Sequence, residues 1–203
     1  MHAQARHSLP RAERRWRELD SCTSSDALLM NVFCCPGVCR SKTVAGMLGT
    51  ETIDVPQFGY PARVTLRGAR KRFDRTEVDM KLGGLLVESK LTESDFQTAP
   101  APLVESYRDL EQTFDIADLP RSGERYSSYQ LIRNVLAAHA SDMSFCVMLD
   151  ARRPDLLEAW HTIMRCVRTT ELRVRCKVLT WQELAVVLPR GLRSFLKDKY
   201  GIA

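Results

Sequence analysis

The chain has 203 residues, of which 44% are hydrophobic and 27% charged, so it is long enough to bury a substantial core. No apolar run approaches the length of a bilayer span, and the arginine-rich first residues contain no apolar signal segment, so we expect neither a membrane partner nor export. The formal charge of +5 permits a nucleic-acid partner without requiring one. The seven cysteines are then expected to be reduced thiols in a cytoplasmic protein.

The first fifth of the chain holds a charged arm and one apolar helix. Residues 1–20 are a basic arm, which either binds DNA or a partner or is a solvated terminus. The remainder, 21–203, is predicted to form a single domain. Its first helix is Ala27–Phe33, which ends before a proline, and the looser segment Val38–Gly59 follows.

Hydrophobic periodicity gives the remaining elements. Strands are predicted at Arg63–Leu66, Thr76–Leu82, Leu85–Lys90, Ser144–Leu149 and Arg173–Leu179. Helices are predicted at Tyr126–Ala140, Pro154–Val167, Trp181–Leu188 and Leu192–Lys199, and a loop at Thr98–Pro102. This order predicts an α/β fold in which a mixed central β-sheet is flanked by helices on both faces.

The glycine pair 83–84 lies between two alternating runs and predicts a β-hairpin. With a two-residue turn, Leu82 faces Leu85, and counting outward places Asp79 opposite Glu88. Lys90 then lies on the same face as both acids. The other face of the hairpin is predicted to hold Val78, Met80, Leu82, Leu85 and Val87.

Two opposed carboxylates repel each other unless a cation lies between them, and carboxylate oxygens are ligands that Mg²⁺ prefers. Asp79 and Glu88 are therefore candidate ligands for Mg²⁺ or Mn²⁺. Lys90 would steady an attacking hydroxide or the charge that develops on a phosphate. The alternative is a solvated face of mixed charges, in which Glu77 pairs with Lys90.

An Asp on one strand followed by Glu-x-Lys on the next resembles the motif of the PD-(D/E)xK nuclease superfamily. Here it consists of Asp79 and of LLVESK, which ends in Glu88-Ser89-Lys90. The stretches LLVESKLTESDF, Tyr129–Ala140 and Val178–Ile202 are similar to a bacterial group of restriction-endonuclease-like proteins. The resemblance implies a restriction-endonuclease-like core and catalysis by Asp79, Glu88 and Lys90.

The sequence departs from this pattern at one place. Relatives of this kind often carry a further acid upstream of the hairpin, in a Phe-Glu-Tyr-like segment, whereas this chain has Phe58-Gly59-Tyr60. The acids that would replace it are Glu51, Asp54 or Glu77. Metal affinity or rate is therefore the property that this departure affects.

Basic residues crowd the segment that leads into Asp79. They are Arg63, Arg67, Arg70, Lys71, Arg72 and Arg75, with Asp74 as the one acid among them. The segment is predicted to contact the phosphates of DNA, and its alternative role is that of a solubilising loop.

The helix after the Glu-x-Lys strand presents two further candidates. Gln130 and Arg133 are three residues apart and share a face. The resemblance implies auxiliary roles near the site, and the alternatives are a helix cap and a surface arginine.

The function predicted from these features is that of a Mg²⁺-dependent endonuclease acting on DNA. A catalytically weak or inactive nucleic-acid-binding module, or a subunit of a larger defence, repair or mobile-element complex, is the competing hypothesis. A homodimer would allow both strands to be cut. No glycine-rich phosphate loop is present, so no nucleotide cofactor is expected.

Overall fold

A mixed five-stranded sheet forms the centre of the computed structural model, which describes residues 20–50, 55–68 and 72–203. In spatial order its strands are β1 (Gln57–Pro61), β4 (Glu77–Leu82), β5 (Leu85–Ser89), β9 (Ser144–Leu149) and β10 (Cys176–Thr180). The pairs β1–β4 and β4–β5 are antiparallel, whereas β5–β9 and β9–β10 are parallel. The predicted α/β fold with a mixed sheet is confirmed.

Smaller strands and the helices surround this sheet. A two-stranded sheet, the basic hairpin, pairs β2 (Val64–Leu66) with β3 (Arg72–Asp74). A three-stranded sheet contains β6 (Thr98–Pro100), β7 (Arg121–Ser122) and β8 (Arg125–Ser127). The helices are α1 (Ser25–Phe33), α2 (Lys42–Leu48), α3 (Ala101–Val104), α4 (Leu110–Thr113), α5 (Tyr129–Ser141), α6 (Pro154–Cys166), α7 (Thr170–Arg175), α8 (Trp181–Val186) and α9 (Arg190–Tyr200). Single 3₁₀ turns occur at Val38–Arg40 and Ile116–Asp118.

Each face of the central sheet is covered by helices, because β5 and β9 are apolar on both sides. Helices α5 and α6 cover one face, and the apolar cluster between them and the sheet, called the α5 core, includes Leu86, Phe145 and Leu136. Helices α1, α2, α8 and α9 cover the opposite face, and the apolar cluster there, called the α1 core, includes Leu28, Val87 and Met148. The C-terminal end of β5 lies between these two layers and carries the Glu-x-Lys sequence.

Four predictions for local structure were wrong or incomplete. The segment Val38–Gly59 contains α2 and part of β1, which were not predicted because of its glycines and its single proline, Pro56. Arg63–Leu66 is indeed extended, but it belongs to the basic hairpin rather than to the central sheet. The predicted loop Thr98–Pro102 includes β6.

The fourth difference lies at Arg173–Leu179, where an alternating pattern predicted one strand. The segment begins as the end of α7, whose first turn is capped by the Thr169 side chain, and becomes β10 only at Cys176. Val174 is 71% exposed, so the alternating pattern that included it did not mark the buried face of a strand. The predicted basic arm lies outside the described residues except for Asp20. No helix among the described residues is long and apolar enough to span a membrane.

Candidate active site

The hairpin β4–β5 has the predicted register in the three pairs next to its turn. Met80 pairs with Val87, Lys81 with Leu86 and Leu82 with Leu85 across the turn at residues 83–84. Beyond Met80 the ladder ends, so the predicted pair of Asp79 with Glu88 is not part of it. The Asp79 Oδ2 atom instead accepts a hydrogen bond from the Ser89 backbone N–H at 2.7 Å. At the end of β5, the Ser89 N–H is thus bonded to the Asp79 side chain rather than to a backbone carbonyl of β4.

The predicted distribution of apolar residues between the hairpin faces was wrong at one position. Met80 packs in the α1 core, whereas Val78 packs in the α5 core, although residues two apart in a regular strand share a face. The neighbouring strand does the same, since Phe58 contacts the α1 core and Tyr60 the α5 core. Both strands therefore change face at the intervening residue, which is Asp79 in β4 and Gly59 in β1.

The Asp79 carboxylate lies in an environment that opposes its charge. Burial, the negative charge of Glu88 and that of Asp26 raise its pKa well above the usual range of an aspartate. The Ser89 N–H and the Lys90 ammonium act in the opposite direction and do not compensate. A cation between the carboxylates would remove this penalty.

Glu88 and Lys90 form a buried ion pair. The Lys90 Nζ atom lies 2.8 Å from Glu88 Oε1, and the two side chains are 7% and 2% exposed. Burial alone lowers the pKa of Lys90, but the negative charges of Glu88, Asp79 and Glu93 outweigh it and raise that pKa. Lys90 is consequently an ammonium ion at neutral pH, suited to stabilising negative charge rather than to accepting a proton.

Two neighbours of the site escaped sequence reasoning. Asn134 on α5 donates from Nδ2 to Glu88 Oε2 at 2.8 Å. Asp26, exposed in the first turn of α1, is close enough for its charge to raise the pKa of Asp79. Spacing of four residues from Gln130 could have indicated Asn134, whereas no local signal connects Asp26 to the hairpin.

The predicted auxiliary residues lie in different settings. Arg133 is buried and donates to Asp74, Asn134 and the Ala62 carbonyl, so the surface-arginine alternative was wrong. Gln130 is in the first turn of α5, and its Oε1 atom is buried without a hydrogen-bond partner among the described atoms.

Of the three upstream acids, Glu77 is the one that the structure describes. It is exposed on β4 opposite Pro61, and its carboxylate lies beside Gly59. Lys90, its predicted partner in the alternative hypothesis, instead contacts Glu88. The other two upstream acids, Glu51 and Asp54, lie outside the described residues.

The basic segment forms the β2–β3 hairpin. Arg63, Arg72 and Arg75 are exposed, whereas Arg67 forms an ion pair of 2.7 Å with Glu111. Arg70 and Lys71 lie outside the described residues. The exposed arginines present positive charge on the segment that continues into β4.

Asp74, the acid of this segment, has all its hydrogen-bonding capacity used within the protein. Thr76 donates to Oδ1 through its N–H and hydroxyl, while Tyr107, Tyr129 and Arg133 donate to Oδ2. Although burial raises its pKa, these contacts prevail and lower it. Asp74 is therefore a structural anion rather than a free metal ligand.

The donor set at the end of β5 suits a hard divalent cation. Asp79 and Glu88 offer carboxylate oxygens, which Mg²⁺ and Mn²⁺ prefer over nitrogen or sulfur ligands. Across residues 20–50, 55–68 and 72–203 there is no group of three or more His, Cys, Asp or Glu side chains arranged to hold a metal. A cation here would complete its coordination with water and phosphate oxygens, as is usual for Mg²⁺.

A comparison with protein families identifies the chain. The model of a family described as "restriction endonuclease associating with ARP" matches residues 2–201. Because this match covers nearly the whole sequence, the chain belongs to that family. No curated protein and no solved structure gives a significant match.

Proposed function

We propose, from membership of a restriction-endonuclease family, that this protein is a metal-dependent nuclease that hydrolyses phosphodiester bonds in DNA. The observation that supports it most is the meeting of Asp79 and Glu88 with the Lys90 ammonium at the end of β5. Unrelated surface charges would stay solvated, whereas here the half-buried Asp79, whose charge is disfavoured, lies beside the buried ion pair of Glu88 and Lys90.

In this proposal Asp79 and Glu88 hold Mg²⁺ or Mn²⁺. The bound ion supplies an acidified water and neutralises charge on the phosphate. Lys90, which is protonated and fixed by Glu88, stabilises the negative charge that develops on the phosphate oxygens. Asp26 adds negative charge at the mouth of the site and so favours cation entry.

Arg63, Arg67, Arg72 and Arg75 bind the DNA backbone in this proposal. Their positive charge gives affinity without sequence choice, because phosphates are the same at every base pair. Arg67 would exchange Glu111 for phosphate, which costs little since the ion pair is exposed. Arg70 and Lys71 are assigned to the same role from the sequence alone.

A cleavage assay tests this function. Duplex, single-stranded and branched DNA, together with an RNA control, are incubated with Mg²⁺, with Mn²⁺ and with EDTA. We expect metal-dependent cleavage by the wild type and cleavage slower by about 100-fold or more by Lys90→Ala. Absence of cleavage by the wild type on every substrate would favour the competing hypothesis of an inactive binding module.

The family description favours a second candidate, in which the nuclease works as a subunit beside a partner. The description names an association with ARP, and a homodimer is the simplest other assembly that could cut both strands. Light scattering of the purified protein separates monomer from dimer. Purification from the native cell would reveal a stoichiometric partner.

A cytoplasmic location stays a prediction, supported by seven free cysteines.

A further inference from the structure

A buried chain of hydrogen bonds joins the basic hairpin to the candidate metal ligand. It runs from Asp74 at the end of β3, through Arg133 and Asn134 on α5, to Glu88 on β5. We propose that Asn134 is a positioning residue for Glu88 and that Arg133, held by Asp74, fixes the orientation of the Asn134 amide. The inference deepens the proposed function, on which it rests for the metal and the DNA.

The amide of Asn134 has two different ends, and each meets a matching group. Arg133 Nη1 donates to Asn134 Oδ1 at 2.8 Å, and Asn134 Nδ2 donates to Glu88 Oε2 at 2.8 Å. If the amide turned over, its oxygen would face the carboxylate and its NH₂ group would face the guanidinium. Two attractions would become two repulsions. Arg133 therefore selects the amide orientation in which Asn134 Nδ2 donates to Glu88.

Arg133 is itself fixed at three points. Besides its bond to Asn134, it donates from Nε to Asp74 at 3.3 Å and from Nη2 to the Ala62 carbonyl at 3.1 Å. Its side chain is 2% exposed, so no solvent replaces a lost partner. Tyr107 and Tyr129 complete the contacts of Asp74 on the far side. The Arg133 side chain is therefore restrained by contacts with three separate residues.

Glu88 receives one hydrogen bond on each oxygen. Lys90 occupies Oε1 and Asn134 occupies Oε2, both at 2.8 Å, so the carboxylate cannot turn without losing a contact. Partners of metal ligands set both affinity and rate, and their removal costs about 10- to 100-fold. Asn134 is the neutral one of these two partners, so it orients Glu88 without adding charge to the site.

The chain of hydrogen bonds begins within the basic hairpin. Arg72 and Arg75 lie on either side of Asp74 in sequence, and both are exposed. The residue that holds Arg133 therefore lies within the segment that the proposed function assigns to DNA contact.

The experiment compares Asn134→Ala with Val135→Ala, a matched truncation at the next buried position of α5, which packs in the α5 core. Mn²⁺ affinity is measured by calorimetry, and cleavage is resolved into kcat and KM. We expect Asn134→Ala to weaken Mn²⁺ binding and lower kcat by about 10- to 100-fold with little change in KM. Val135→Ala should leave both constants within about twofold of wild type, because it removes packing alone.

A second readout needs neither metal nor activity. The side-chain amide signals of Asn134, followed by NMR, should shift in Glu88→Gln and in Arg133→Lys, since a lysine keeps the charge but not the forked donors. Equal Mn²⁺ affinities for the two alanine variants would overturn the inference, as would unmoved amide signals. If the wild type neither binds Mn²⁺ nor cleaves, the nuclease proposal fails, and the amide signals alone decide whether Asn134 holds Glu88.

Discussion

Replacement of Asp79 by asparagine should stabilise the metal-free protein while it abolishes activity. The carboxylate is destabilised by burial and by the charges of Glu88 and Asp26, which together raise its pKa. An acid with a raised pKa in the folded state stabilises the fold below its unfolded pKa and loses this contribution as pH rises through the folded value. Ionisation of Asp79 in the folded protein therefore costs stability, and the neutral amide avoids this cost.

The size of the effect follows from the contacts. A like-charged pair across two strands costs about 0.2–1 kcal/mol, and burial of the charge adds to it. Asparagine retains an oxygen that can accept the Ser89 N–H now bound at 2.7 Å, so this contact is not lost. We expect a gain of about 1 kcal/mol in the free energy of unfolding, or about 2–4 °C in Tm for a chain of this length.

Thermal unfolding in EDTA and in Mg²⁺ tests the prediction. In EDTA, Asp79→Asn should have the higher Tm. In Mg²⁺ at about 100 times its dissociation constant, the wild type should gain about 2.7 kcal/mol and overtake the variant. The control is Asp198→Asn, which removes an exposed acid on α9. Its Tm should equal that of the wild type both in EDTA and in Mg²⁺. A lower Tm for Asp79→Asn in EDTA, or an equal response of both proteins to Mg²⁺, would refute the argument.

Three further substitutions separate the parts of the site. Lys90→Ala should lower kcat by about 100-fold or more in a single-turnover cleavage assay, while calorimetry shows Mn²⁺ affinity unchanged or higher because a competing cation is gone. Arg72→Gln with Arg75→Gln should reduce the slope of log affinity against log salt by about two in a DNA-binding titration, and Arg193→Gln on α9 should leave it unchanged. Asp26→Asn should weaken Mn²⁺ binding about fivefold, as expected for about 1 kcal/mol of charge attraction, and an unchanged constant would remove this acid from the site.

The sequence predicted what depends on neighbours along the chain. A hairpin whose turn is two glycines has a countable register, and Met80, Lys81 and Leu82 pair as counted. The predicted helices and the strand Ser144–Leu149 carry strong periodic patterns, and each was found. The helix predicted from Tyr126 begins only at Tyr129, because Tyr126 belongs to β8. The assignments of Asp79, Glu88 and Lys90 to catalysis stay predictions.

Contacts between distant segments could not be predicted in this way. Asn134 reaches Glu88 across 46 positions, and its chemistry depends on a neighbouring arginine whose burial no local pattern reveals. Arg133 resembles a surface residue in sequence, yet it is buried and forms an ion pair with Asp74 of the basic hairpin. Burial of paired charges is a tertiary property, since each residue alone would remain in water.

The glycine at the departure from the superfamily pattern also has a physical explanation. Gly59 lies between Phe58 and Tyr60, where β1 changes face, and its φ of +61° is one that side-chain-bearing residues rarely adopt. A Cβ atom there would lie 2.9 Å from the Glu77 carboxylate. An acid at this position would thus be strained and placed against like charge. Negative charge near Asp79 comes instead from Asp26 on α1, whose charge raises the pKa of Asp79.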